Sequence, residues 1–304
     1  MMKKTFHLYQ VDAFTRQPFT GNPAGVVTNA DGLTAAQMQS IAREMNDSET
    51  AFILAPEGQY HDVHLRFFTP TCEVPVCGHA TIASHFVRAK ELNLPKTTVL
   101  QKCGAGNLPI EICPEGGTYK IIMTQGALKL GEPWPQPLVQ RLLAALGLTA
   151  GDLREDCPVL IASTGNPKVM VGIKDLARLH ALQPDLAALK ALSGEIKCTG
   201  YFIFTLHPGQ DPLVHGRMFA PAGGVPEDPV TGNANGPLGG YLVQYGLLPR
   251  EGAACAFNVV QGEAMGRPGG MRVLVDLDKG QPVRIRLAGE AVAVFKTELE
   301  LECV

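Results

Sequence analysis

Gly78-His79-Ala80-Thr81 opens a stretch that ends Leu94-Pro95-Lys96, and the chain later repeats it as Gly232-Asn233-Ala234-Asn235, ending Leu248-Pro249-Arg250. The echo runs without a gap at a constant offset of 154 residues. Outward from it, other pairs fall in the same order. Thr20-Gly21-Asn22-Pro23 recurs as Thr164-Gly165-Asn166-Pro167, and Phe68-Thr69-Pro70 as Phe219-Ala220-Pro221. A single echo is within reach of chance, but several in one order mark a chain built twice. The stretch Gly131-Glu132-Pro133-Trp134-Pro135-Gln136-Pro137 reads as a proline-rich linker. The expected halves are therefore residues 1–130 and 131–304, with room for the last strand to pair back onto the first half.

Local patterns give each half the same parts. Gly78 to Leu92 and Gly232 to Gly246 read as a central helix in each half. Leu33 to Met45 reads as an amphipathic helix with Thr34 as N-cap, because Met38, Ile41, Ala42 and Met45 share one face. Leu138 to Leu146 is a further short helix closed by Gly147. Asp62 to Phe67 and Arg272 to Leu277 alternate as half-buried strands do. Strands outnumber helices, so the expected class is α+β: two homologous halves, each a curved, mostly antiparallel sheet around a central helix.

Composition removes whole classes of function. The 304 residues carry 26 basic and 29 acidic side chains, a net charge of −3, which offers no basic surface for nucleic acid. No run of about 18 apolar residues exists to span a membrane. The start MMKKTFHLYQ lacks the apolar core of a signal peptide. Eight cysteines without a CxxC pair fit reduced thiols in the cytoplasm. No GxxxxGK[ST], GxSxG, HExxH or complete GxGxxG is present. His61 and His64 stand at odd spacing in a strand pattern and should point to opposite faces, so neither a metal nor a cofactor is expected.

Two related halves leave a cleft, the usual place for a ligand. A helix start in each half, at Gly78 and at Gly232, suits a carboxylate, since free N–H groups and the helix dipole favour an anion. The other reading is that glycine serves close packing there. Glu49, between a helix end and the apolar run Thr50 to Leu54, is either a solvated turn residue or a partly desolvated acid/base. His79 at a helix start either faces water or serves the cleft. Cys77 is either a buried inert thiol or one activated by the helix N-terminus. The offset places Thr231 opposite Cys77 and Asn233 opposite His79, so a mirrored cysteine pair does not exist. Asp228, in Glu227-Asp228-Pro229, either caps the following helix or serves the site.

These residues carry a resemblance. Val11-Asp12-Ala13-Phe14-Thr15, Gly21-Asn22-Pro23-Ala24-Gly25-Val26, Ser48-Glu49-Thr50-Ala51-Phe52, Glu73-Val74-Pro75, Gly78-His79-Ala80-Thr81 and Glu227-Asp228-Pro229 with Thr231-Gly232 stand in the order of the PhzF (phenazine-biosynthesis-like) isomerases. Gly232-Asn233-Ala234-Asn235-Gly236 resembles the YddE-like subgroup. The resemblance implies a diaminopimelate-epimerase-like fold, cofactor-free proton chemistry on a small carboxylate metabolite, and a homodimer. It implies Glu49 as general acid/base, assisted by His79, Asp228 and Asn233. Phenazine enzymes carry serine after Thr-Gly where this chain has Asn233, which argues against the phenazine substrate itself. The resulting expectation is an isomerase with Glu49, His79 and Asp228 catalytic and Cys77, Gly78, Thr231, Gly232 and Asn233 at the substrate. The alternatives are a dehydratase or epimerase using Cys77, or a binding protein without catalysis.

Overall fold

A computed structural model describes residues 2–248 and 252–303. Pro249 and Arg250, which close the second copy of the echo, lie outside the described residues. The chain forms two units, Met1–Thr124 with Ala288–Val304, and Gln125–Leu287.

In the first unit, strands lie side by side in the order Ala291–Cys303, Met2–Ala13, Asn22–Val27, Thr50–Leu54, Val63–Phe68, Thr97–Cys103, Gly106–Glu115, Thr118–Thr124. All neighbours are antiparallel except Asn22–Val27 with Thr50–Leu54 and Val63–Phe68 with Thr97–Cys103. The helix Gly78–Leu92 touches strands at both ends of this sheet, which therefore curves around it. Ten of its residues are buried, so it is a core helix rather than an amphipathic surface one. The helix Ala35–Met45 is the amphipathic one. Thr34 and Gln37 form a reciprocal capping box at its start, and Met38, Ile41 and Ala42 pack with Phe6, Leu8, Val27, Phe52 and Phe68.

The second unit repeats these pairings step for step. Leu160–Ser163 is antiparallel to Lys168–Gly172, which runs parallel to Gly200–Leu206. That strand is antiparallel to Val214–Ala220, which runs parallel to Ala254–Gln261, itself antiparallel to Gly269–Asp278. The two Thr-Gly-Asn-Pro turns lead into corresponding strands. The central helix here is Gly232–Gln244, and it touches Leu160–Ser163, Lys168–Gly172 and Gly269–Asp278. Two of its glycines permit that approach: a Cβ on Gly239 would stand 2.8 Å from Val273, and one on Gly240 2.3 Å from Leu128. The class is α+β, as expected.

Two features depart from the sequence expectation. The second unit carries an extra layer, in which the expected helix, Gln136–Leu146, is joined by two not anticipated, Leu176–His180 and Leu186–Ile196. Leu142, Leu146, Leu189 and Leu192 bury their apolar faces against Val169, Val171, Tyr201 and Ile203. The proline-rich stretch lies in the second unit, as the expected boundary had it, and the division falls at residue 125 instead of 131. Gly131 N donates to Ile161 O at 2.8 Å and Trp134 N to Val159 O at 2.8 Å, while the Trp134 ring packs on the leucine layer. Proline marks irregular backbone; it does not say which neighbour satisfies the remaining N–H groups.

Candidate functional site

Three of the expected residues meet in the first unit. Asn46 ends the helix Ala35–Met45 in a left-handed conformation, and the chain turns through Ser48 and Glu49 into the strand Thr50–Leu54. Cys77 is the N-cap of the helix Gly78–Leu92, with extended backbone, so His79 stands in that helix's first turn. The imidazole joins the two segments. His79 Nε2 is 3.3 Å from Ser48 Oγ and 3.5 Å from Glu49 Oε2, and His79 Nδ1 is 3.4 Å from Cys77 Sγ. Cys77 and His79 are buried, while the Glu49 side chain is 22% exposed and so still reached by solvent. Thr81 Oγ1 donates to Cys77 O at 2.7 Å and fixes the cap. A Cβ on Gly78 would meet no atom within 4 Å, so packing does not demand glycine there. The space beside this helix start is open, next to an acid, an imidazole and a thiol.

The second unit holds the corresponding start. Thr231 is the N-cap of Gly232–Gln244, as Cys77 is of its helix. Asn235 Nδ2 donates to Thr231 O at 3.0 Å, the same cap-fixing role that Thr81 plays at the same offset. Thr231 Oγ1 donates to Asp228 Oδ2. Gln261, at a strand end, ties the group together. Its Nε2 donates to Asp228 O at 2.7 Å and Thr231 Oγ1 at 3.0 Å, and its Oε1 accepts from Thr231 N at 3.1 Å and Asn235 Nδ2 at 3.1 Å. Among the described residues, the buried Oδ1 of Asn233 has no hydrogen-bond partner. An unfilled acceptor of this kind calls for an explanation, and a ligand's donor is one.

Two further titratable groups are buried, one in each unit. His85, on the first central helix, bonds through Nε2 to Gln101 Oε1 at 2.9 Å, and burial pushes it down to about 4. Lys168, 2% exposed, follows the second Thr-Gly-Asn-Pro turn. Burial pushes it down to about 8 against the attraction of Cys198 and Asp228. Gly200 leaves it room, since a Cβ there would stand 2.5 Å from the Lys168 stem. Pairing between distant strands brings Gln261 and Lys168 to these positions.

Metal-ligating side chains also gather where no motif predicts them. The ligand atoms of Glu49, Cys77 and His79 lie within 4.8 Å of one another, as do those of His180, His215 and Glu263. His61 and His64 do not point apart. His61 precedes the strand Val63–Phe68, so strand alternation does not govern it, and the two rings stand 6.3 Å apart beside Glu57. A recess of about 560 Å³ in the second unit, lined by Leu128, Glu132, Tyr245 and Val283, contains none of the candidate residues. Among the described residues no helix is long and apolar enough to cross a membrane.

Comparison with known proteins adds the following. Residues 11–297 match the family described as phenazine biosynthesis-like protein. The chain is 52% identical to an uncharacterized isomerase of Clostridium acetobutylicum, over 99% of this chain and 100% of that one. It is 45% identical to the uncharacterized isomerase YddE of Escherichia coli, over 97% and 98%. It is 33% identical to the trans-2,3-dihydro-3-hydroxyanthranilate isomerase of Pseudomonas aeruginosa, over 87% and 89%. Among solved structures, it resembles a PhzF-family protein of Bacillus anthracis with a TM-score of 0.87 and 33% identity, covering 97% and 99%. A hydroxyproline epimerase of Agrobacterium vitis, at TM-score 0.64 and 13% identity over 99% and 93%, shares the fold.

Proposed function

Because the chain belongs to the phenazine biosynthesis-like protein family, among its YddE-like isomerases, we propose that it moves a proton on a small carboxylate metabolite, using Glu49, His79 and Cys77 as one proton-transfer group. The observation that carries this reading is the His79 imidazole standing between Glu49 and Cys77, at 3.5 and 3.4 Å, beside the open helix start at Gly78. One base of the group takes a proton from a C–H next to the substrate's carboxylate. The electron pair spreads into that carboxylate, whose growing charge the N–H groups at the helix start stabilise. The proton then returns to a different carbon, or to the opposite face of the same one. His79, in contact with both, can pass a proton between them, as a base and an acid working on one substrate require. Asp228, Thr231, Gly232 and Asn233, at the corresponding helix start, are proposed as substrate-orienting groups, with the unfilled Asn233 Oδ1 accepting a ligand donor.

A second assignment makes Cys77 the main base, as an epimerase or dehydratase would, and the contacts favour it over a bystander thiol. Cys77 Sγ lies within hydrogen-bonding range of His79, whereas Glu49 meets the ring only at ion-pair distance. Thr231 in the mirror position excludes a pair of cysteines but not a cysteine working with a glutamate. The homodimer and the cytoplasmic setting belong to the same proposal. Light scattering checks the dimer, and the free thiols among the described residues fit a reducing compartment.

Substrate C–H exchange in deuterated water tests the reaction. A thermal-shift screen of small hydroxy, amino and unsaturated carboxylic acids, with trans-2,3-dihydro-3-hydroxyanthranilate among them, supplies the ligand. Glu49→Gln should still bind it and lose exchange by several orders of magnitude. Comparable loss in Cys77→Ala assigns the thiol an equal part. Ligand binding with no exchange in the parent chain would leave only a metabolite-binding protein.

A further inference from the structure

We propose that His180, His215 and Glu263, all in the second unit, form a binding site for a divalent first-row transition metal ion of the zinc type. His180 ends the helix Leu176–His180, His215 lies in the strand Val214–Ala220, and Glu263 opens the single 3-10 turn Glu263–Met265. A single oxygen, Glu263 Oε2, stands 2.7 Å from His215 Nδ1 and 3.2 Å from His180 Nε2. All three ligand atoms lie within 4.8 Å of one another. Zinc binds imidazole nitrogen and carboxylate oxygen at about 2.0–2.2 Å, so an ion fits among the three with a small side-chain adjustment. The ligand set, two imidazoles and one carboxylate, suits zinc, cobalt or nickel better than calcium or magnesium, which prefer oxygen alone.

The protein holds these groups in place without the ion. Arg217, buried on the same strand as His215, donates from NH1 to Leu179 O at 3.1 Å, His180 O at 3.2 Å and Leu182 O at 2.8 Å. One guanidinium therefore ties the end of the His180 helix to the strand that carries His215. Its other nitrogens donate to the Glu227 carboxylate at 2.8 Å, which balances the charge. Gly262 and Gly266 bracket the Glu263 turn in left-handed conformations, at φ 84° and 68°. A Cβ on Gly262 would stand 2.3 Å from Arg267 O, so the turn has little freedom to shift. Three ligands on three separately anchored elements are the pre-organisation that a metal site needs.

The outer side of the group is open. His180 is 37% exposed and Glu263 30% exposed, while His215 is 15% exposed, so water can fill the remaining coordination position. The His207 ring stands 5.0 Å from that of His215 and extends the imidazole cluster. A bound ion would cross-link helix, strand and turn, raising the stability of the second unit without entering the proton chemistry.

The test uses the full chain after chelator treatment, in a Cys77→Ala background that removes the thiolate ligand from the other cluster. Calorimetric titration with Zn²⁺ should show one ion per chain and a rise in melting temperature. Co²⁺ should give a visible d–d spectrum without the near-ultraviolet band of a thiolate ligand. His215→Ala and Glu263→Gln should each weaken binding more than about 100-fold, since loss of even an outer-shell partner costs about 10–100-fold. His180→Ala, at an exposed helix end, serves as the variant least able to disturb folding and should abolish the one-to-one step. Binding of unchanged stoichiometry and affinity in the His180→Ala/His215→Ala double variant would overturn the site. So would binding to the parent only in the millimolar range, which would mark an adventitious ion.

Discussion

The two central helices begin alike and then part. Each starts at an N-cap in extended backbone, Cys77 or Thr231, and each has a side chain four residues on that bonds the cap carbonyl, Thr81 or Asn235. Around the first start stand a thiol, an imidazole and a carboxylate. Around the second the groups are mostly neutral hydrogen-bonders arranged by Gln261, with Asp228 the charged member. The body of each helix differs too. The first is filled with side chains, including His85, where the second has Gly239 and lets Val273 and Val275 approach. A duplicated scaffold thus keeps its geometry while the side chains around the two helix starts differ, and under the proposed function the first copy moves protons and the second orients the substrate.

The sharpest way to break this contrast is activity. Glu49→Gln should cost several orders of magnitude in exchange. Asp228→Ala, in the copy assigned to orientation, should cost about 10²–10³-fold with the fold largely intact. Equal losses would erase the division of labour. A melting shift with full activity in Asp228→Ala would leave that residue a structural role only.

The next effect is about 3 kcal/mol; in both units stability rises with pH, but in different windows. His85 is held near 4 by burial, below its ordinary 6.5, so the folded chain keeps it neutral while the unfolded chain protonates it. Its contribution is fully present above pH 6.5 and is lost as pH falls toward 4, by about 3 kcal/mol. Lys168 is held near 8, below 10.5, so its burial penalises folding fully below pH 8 and is relieved as pH rises to 10.5. Chemical denaturation across pH checks both. His85→Gln should flatten the acid limb. The parent should gain on Lys168→Met between pH 8 and 10.5.

Packing separates the helices more modestly. Gly239→Ala should cost about 1–2 kcal/mol, because the overpacking against Val273 and Val275 exceeds the gain in helix propensity. Gly78→Ala meets nothing, so it should stay within about 0.5 kcal/mol in stability while weakening ligand binding. Away from both central helices, Thr34→Ala should cost about 1 kcal/mol from the lost capping box, read in thermal or urea unfolding with activity unchanged.

By itself the sequence determined the class, the duplication, the two central helices from their first residues and the Thr34 cap. Each of these is written in short-range periodicity, a cap or a repeated tetrapeptide, and local backbone preference acts within a few residues. Family motifs further singled out Glu49, His79 and Asp228. The tertiary structure decided what no window of sequence contains: which backbone groups satisfy the proline-rich segment, that Cys77 and Glu49 share one imidazole, that Gln261 organises Thr231 and Asn235, and that His180, His215 and Glu263 converge. These depend on strands paired across long separations, such as Val214–Ala220 beside Ala254–Gln261. A side chain's neighbours across a sheet are set by register and burial of the whole core, which no local pattern encodes.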